Sequence, residues 1–346
     1  MTPGGGLRRR QVLTVAAAGL VAGCSDPPPS AARATAGDPL ATAPPAHAVV
    51  ASYRLPGGDV HAVADLLRQI TGRADAAGAG AEVLIGLGAT LFDRAGLPAQ
   101  RPRQLTAMPS FPGDVLDPGR THGDLLLQAG AGTAEAAERL LATVAGPLTP
   151  QWRVAGFRDG AGTSPAGHPT ATNPFHFTEG HGNPDAALIP AVVRVGGTEP
   201  AWAAGGTYQV VRVIRLATQM WDRDPVEEQE RVFGRRRDGT WLDGTAAAQD
   251  PPFARDPDGA VTPLDAHVRL ARGTGPRPEM LRRGYSFRAE GEEGMLFLAY
   301  QRDLERGFAG VQRRLAGERL ARYVLTVGGG YFFVPPAGWT GALFPR

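Results

Sequence analysis

The amino-acid sequence predicts an α+β protein in two halves of strands and helices, a pattern compatible with ferredoxin-like units. Three observations predict it. Short apolar or alternating runs, the mark of strands, are separated by segments with an apolar residue every third or fourth position, the mark of helices. This strand–helix–strand order occurs once before residue 160 and again after residue 190. The chain of 346 residues, 42% hydrophobic, is long enough for two domains with a sizeable shared core. Its 47 glycines and 31 prolines predict long loops between short elements.

The elements follow in order. Residues 49–55 read as a strand. Residues 59–71 place Val63, Leu66, Leu67 and Ile70 on one helical face. Strands are predicted over 81–87 and 123–129, a helix over 133–145, and a fourth strand over 152–156. In the second half, 191–195 and 208–216 read as strands and 225–233 as a helix. A strand over 294–300, a helix over 304–315 and a strand over 329–334 close the chain. The boundary between the units is placed at residue 188, giving domains over 47–188 and 189–346.

The first 46 residues have a different composition. Arg8, Arg9 and Arg10 precede an apolar run over 12–22, too short to span a bilayer. RRRQVL fits a twin-arginine export signal, and VAGC resembles a bacterial lipobox ending at Cys24. Residues 1–24 are therefore expected to be a twin-arginine lipoprotein-type signal. A plain cleaved signal is the alternative. The expected destination is outside the cytoplasm, anchored to the membrane through a lipid on Cys24. Residues 25–46, rich in Pro and Ala, are expected to be an extended tether. Cys24 is the only cysteine, which excludes an intramolecular disulfide, a cysteine nucleophile and a thiolate metal ligand within the folded part. The net charge of +2, with all 36 basic residues arginine and no aromatic residues interleaved among basic runs, argues against nucleic-acid binding.

Three positions carry candidate chemistry. Asp159 lies in GFRDG, residues 156–160, and reads either as a turn or as an acid–base group. His267 lies in the alternating run LDAHVRL, residues 264–270, and reads as a core histidine or a metal ligand. Arg282 lies in MLRRGYS, residues 280–286, and reads as part of a solvated turn or as a fixed cation at a reacting centre. His168, His176 and His181, spaced eight and five apart, match no helical metal motif. A surface loop, a cofactor edge or a metal site all remain open for them.

Taken in this order, GFRDG, LDAHVRL and LRRGYS resemble the dye-decolorising peroxidase family, in the secreted branch that includes deferrochelatase/peroxidase proteins. Residues 101–128, 199–215, 295–308 and 328–336 have the same character, so the resemblance runs from about residue 48 to the end. It implies one haem b held between the two ferredoxin-like domains. It implies that His267 is the axial ligand of the haem iron, with Asp303 as the carboxylate that orients it. Asp303 also reads as a helix N-cap. Asp159 and Arg282 are implied as the catalytic pair above the iron, with Arg283 a competing choice for the cation. Gly156, Phe157, Arg158 and Gly160 would border the cofactor, and Leu296 and Phe297 would form an apolar lid.

The implied function is a haem-dependent peroxidase. It would reduce hydrogen peroxide and oxidise organic or iron substrates through a ferryl intermediate, with an unidentified reductant. The alternative is a non-enzymatic haem-binding or iron-release lipoprotein. Membrane contact is expected only through Cys24, and a homo-oligomer is left open. Trp241, Tyr285, Tyr300 and Tyr323 read as core packing or as an electron relay. The family's Asn-Pro pair, which follows GFRDG closely, is displaced here to Asn173 and Pro174, and the connection from His267 to Arg282 is short.

Overall fold

The computed structural model describes residues 1, 38–56, 60–78, 81–164, 167–272, 278–289 and 291–343. The expected signal, Cys24 and most of the expected tether lie outside the described residues. The first half contains β1 (His47–Tyr53), α1 (Val60–Asp75), β2 (Glu82–Gly88), α2 (Ala89–Arg94), β3 (Leu125–Ala131), α3 (Ala134–Ala145) and β4 (Trp152–Phe157). A small separate sheet follows, made of β5 (Asp159–Thr163), β6 (Pro169–Thr172) and β7 (Thr178–Glu179). The second half contains α4 (Ile189–Val193), β8 (Thr207–Leu216), α5 (Thr218–Trp221), α6 (Val226–Phe233), α7 (His267–Ala271), β9 (Leu281–Ala289), β10 (Glu292–Gln301), α8 (Gly310–Arg314) and β11 (Val324–Val334).

Each half pairs its four long strands in the spatial order fourth–first–third–second, all antiparallel, which is the ferredoxin-like arrangement. The two sheets then join edge to edge. β2 pairs with β11 through Leu87 and Gly88, and β4 pairs with β9 through Phe157 and Ser286. The result is one closed eight-stranded barrel. Closure removes the sheet edges that two separate units would expose.

Side-chain alternation along the strands fills the barrel. Val50, Leu84, Leu126, Val211, Leu298 and Phe332 meet inside. On the outer face, Val63, Leu67 and Ile70 of α1 and Leu141 and Val144 of α3 pack against Val49, Ile85 and Leu127. The interior also holds a polar chain. Arg283 Nη1 donates to Glu82 at 2.9 Å, and Gln128 Nε2 donates to the same carboxylate at 3.1 Å. Gln209 Nε2 and the Tyr300 hydroxyl donate to Gln128 Oε1 at 2.9 and 2.7 Å.

The structure departs from several sequence expectations. Residues 191–195 are not a strand; Pro190 sits in the first turn of α4 and presets its backbone. The alternating run 264–270 is not extended either, because α7 begins at His267. The expected helix over 304–315 is broken. A π-type turn over Glu305–Ala309 kinks at Gly307 before α8 begins. β9 was missed because its paired arginines read as a solvated turn. The last part of the expected tether is packed, not extended: Leu40 is buried in the barrel interior and Asp38 ion-pairs with Arg194. Arg283 also donates to the carbonyls of Pro39 and Thr42, which ties this segment into the barrel.

Candidate functional site

Alternation along β9 separates the two arginines of its RRG run. Leu281, Arg283, Tyr285 and Phe287 point into the barrel, where Arg283 is consumed by Glu82. Arg282 and Gly284 face outward, toward the small sheet. Asn183 fixes the Arg282 backbone by accepting from its N–H and donating to its carbonyl, both at 2.9 Å. Arg282 Nη2 donates to the carbonyl of His181 at 2.7 Å. Burial lowers the Arg282 pKa, and the carboxylate of Glu179 opposes that shift.

Glu179, at the end of β7, is the carboxylate the structure brings to this face. Its Oε2 lies flush on Gly284: a Cβ built there would come within 2.6 Å of it. Only glycine admits this approach. Asn173 Nδ2 donates to Oε1 at 3.3 Å, and Arg158 and Arg282 both pull on its charge. Glu179 keeps some residual surface, yet burial is the dominant influence and raises its pKa against both arginines. Arg158 Nη1 donates to the Gly284 carbonyl at 2.9 Å and lies over the Tyr285 ring.

Asp159 is not brought to Arg282. It is exposed, opens β5, and pairs with Thr172 of β6. Thr172 in turn pairs with Thr178 of β7, so Asp159 and Glu179 lie on the two outer strands of one sheet. Of these two acids, the one whose side chain reaches Gly284 is Glu179 of β7. Of the GFRDG residues, Gly156 and Arg158 reach this region; a Cβ at Gly156 would meet the Tyr285 Cβ at 2.6 Å, so the β4–β9 seam requires glycine there. Phe157 instead lies beneath the guanidinium of Arg288, and Gly160 is exposed within β5, where the register shifts between Asp159 and Gly162. Glu179 went unnoticed in the sequence although a signal existed: Phe-x-acid-Gly occurs at 157–160 and again at 177–180, the second followed by Asn183 and Pro184. Asn183, and not Asn173, holds the arginine strand.

His267 opens α7. Its Nδ1 lies 2.6 Å from Glu318 Oε2, a carboxylate whose side chain is 8% exposed. Asp303 does not play that part. Its Oδ1 accepts from the backbone N–H of Glu305 and Arg306, both at 3.0 Å, so it caps the turn that follows. Leu296 and Phe297 cannot form one lid, because neighbours on a strand face opposite ways. Leu296 is inside the barrel, and Phe297 is outside against Phe308, on the same face as Arg282.

The end of α6 and the turn after it touch both sides of the site. Phe233 lies against the His267 ring, with centroids 5.4 Å apart. Arg235 donates to the Gly239 carbonyl, and Gly239 packs on the His181 imidazole. Arg235 is buried and has no carboxylate in ion-pair reach among the described residues. Burial, then Arg282 and Arg272, lower its pKa to about 10. The three loop histidines do not converge. His168 pairs with Asp185 at 3.2 Å and His176 with Asp222 at 2.9 Å. His181 is half-buried, its enclosed Nε2 has no partner, and its pKa is pulled down to about 4, chiefly by burial. No group of three or more His, Cys, Asp or Glu able to hold a bare metal ion occurs among the described residues. Tyr285 and Tyr300 pack inside the barrel, the Tyr323 hydroxyl donates to Asp224, and Trp241 stacks under Arg235 at 3.8 Å.

Comparison with known proteins places this arrangement. The Dyp-type peroxidase N-terminal model matches residues 47–158 and the Dyp-type peroxidase C-terminal model matches 170–338. The chain belongs to the Dyp-type peroxidase family. It is 41% identical over 274 residues to the Deferrochelatase of Yersinia pestis and 40% identical to that of Escherichia coli K12, in each case over 73% of this chain. It spans 63% and 65% of the lengths of those two relatives. Ferric DtpA from Streptomyces lividans superposes with a TM-score of 0.78 at 32% identity, covering 87% of this chain and 92% of that one. The DyP-type peroxidase from Cellulomonas bogoriensis gives 0.77 at 30% identity, over 87% and 94%.

The residues present fit the haem this family implies. The donor set is an imidazole whose Nδ1 is held by a carboxylate, which leaves Nε2 to bind iron. Arg235 is a buried cation lacking an acid, beside two further arginines. The carboxylate side chains of a haem would supply Arg235 with such a partner.

Proposed function

We propose that this protein is a haem peroxidase that reduces hydrogen peroxide to water at the expense of an external reductant. The single observation that carries the reading is the His267–Glu318 pair at 2.6 Å. A buried carboxylate on Nδ1 selects the tautomer that presents Nε2 and makes the ring a stronger donor. When bound, haem supplies the iron that receives peroxide and the two electrons consumed in its reduction, which the reductant then restores. Arg282, anchored by Asn183 and the His181 carbonyl, holds a fixed positive charge where the departing oxygen develops negative charge. Phe297, on the same face, limits bulky molecules to the surface. Export by the twin-arginine route and lipid anchoring at Cys24 belong to the same reading and rest on the N-terminal motifs alone.

A non-enzymatic haem carrier is the weaker reading. Carriage requires a ligand and cations for the propionates, but gives no use to a buried carboxyl beside Arg282. The relatives named Deferrochelatase raise release of iron from intact porphyrin, and protoporphyrin fluorescence after incubation with haem reads that directly. The deciding experiment is the absorption spectrum of the haem-loaded protein before and after one equivalent of hydrogen peroxide. A shifted Soret band that returns on adding a reductant supports the peroxidase. His267→Ala should lose stable haem; a wild-type Soret band and haem content in that variant would refute the ligand assignment.

A further inference from the structure

The geometry points to Glu179, and not Asp159, as the carboxylic acid that moves the peroxide proton beside Arg282. This inference rests on the peroxidase reading above. Its starting point is the duplicated pattern. Phe157-Arg158-Asp159-Gly160 and Phe177-Thr178-Glu179-Gly180 stand twenty residues apart, and both glycines have positive φ, 56° and 101°. The two copies have divided the work. The first supplies Arg158, whose guanidinium reaches across to the Gly284 carbonyl. The second supplies the acid, with its oxygen on Gly284 itself.

The sheet explains the division. The Glu179 side chain of β7 lies on Gly284 of β9, and β5 lies across β6 from β7. Asp159, two residues beyond the Phe157–Ser286 seam, is exposed to water and without a cation partner among the described residues. Glu179 is held from three directions, by Gly284 beneath it, Asn173 on Oε1, and the charges of Arg158 and Arg282. Arg282 is itself locked by Asn183, four residues beyond Glu179, so acid and cation are positioned by one short segment.

The proton balance is simple. As the carboxylate, Glu179 would accept the proton of one peroxide oxygen. It would then return that proton to the other oxygen, which leaves as water when the O–O bond breaks with its electron pair, the two electrons of the reduction being supplied by bound haem. Arg282 stabilises the charge on that oxygen in between. Burial raises the Glu179 pKa, so the basic form is reached at higher pH than for an ordinary glutamate. Peroxide reduction should therefore slow as pH falls through that raised value.

The test uses the haem-loaded wild type with Glu179→Gln, Glu179→Asp and Asp159→Asn. The rate of the spectral change with peroxide and the dissociation constant for cyanide are measured against pH. Cyanide arrives as the neutral acid and must leave its proton on a base near the iron, so it reports the proton acceptor without turnover. Glu179→Gln should slow the peroxide reaction by about 10²–10⁴-fold, the usual contribution of a positioned acid–base group. It should also erase the acid limb and weaken cyanide binding, with the ferric spectrum and haem content unchanged. Glu179→Asp should keep the acid limb at a reduced rate, and Asp159→Asn should stay within about twofold of wild type. If Asp159→Asn carries the loss and Glu179→Gln does not, the inference is overturned while the peroxidase reading stands. If wild type binds haem but shows no reaction with peroxide, the peroxidase reading itself fails, and the inference with it.

Discussion

Gly284→Ala is the sharpest probe of the site, because it moves one group by a known amount. The new methyl would sit 2.6 Å from Glu179 Oε2 and 3.0 Å from Met295 Cε. Ordinary van der Waals contact begins at 3.4 Å, so the carboxylate must retreat by about 0.8 Å. Both obstacles are ends of flexible side chains. The fold should yield cheaply, and the lower chain entropy of alanine offsets part of the crowding, leaving stability within about 1 kcal/mol of wild type. Catalysis should not yield cheaply. The Asn173–Glu179 hydrogen bond is already 3.3 Å and has no slack. A displacement approaching 1 Å at a proton-transfer group costs up to about 10²-fold in rate. Stopped-flow reaction of the haem-loaded variant with peroxide should therefore be about 10- to 100-fold slower, with normal haem content and an unfolding midpoint near wild type. A variant that reacts at the wild-type rate, with the same melting behaviour, would show that the carboxylate on Gly284 takes no part.

Three further outcomes are expected. Glu318→Gln should lower the iron–imidazole stretching frequency and weaken haem affinity or activity by about 10–100-fold, whereas Asp303→Asn should leave the stretching frequency unchanged. Arg283→Met strands Glu82 and the carbonyls of Pro39 and Thr42 inside the barrel, and urea unfolding at pH 7 should show a loss of about 3–5 kcal/mol. Burial already raises the Glu82 pKa, so in that variant the folded state binds the proton more tightly than the unfolded state; the loss is full above the raised pKa and shrinks as pH falls through it. Cys24→Ala should shift the exported protein from the membrane fraction to the soluble one, since acyl chains supply the membrane affinity; unchanged fractionation would remove the lipid anchor.

The sequence by itself determined what depends on local periodicity and on long motifs. β1, β2, α3, β8 and α6 appear within a few residues of where alternation and amphipathic spacing put them, since these patterns record which face of an element is buried. The family, and with it the pair of ferredoxin-like units, was legible in LDAHVRL and LRRGYS as strings. Register and partner choice were not legible. Whether Arg282 or Arg283 faces the site depends on which way β9 alternates, and that is set by its pairing with β10 and by the Glu82 carboxylate from β2. Glu318 meets His267 across 51 residues of chain, and Asp303 is drawn instead to the N–H groups two and three residues ahead. Asp159 has the motif, but β6 stands between its strand and β7, and the acid that reaches Gly284 is Glu179. A motif specifies the kind of group present, whereas its distance from a partner is a property of the packed sheets; only the seating of the small sheet on β9 decided which carboxylate stands beside the arginine.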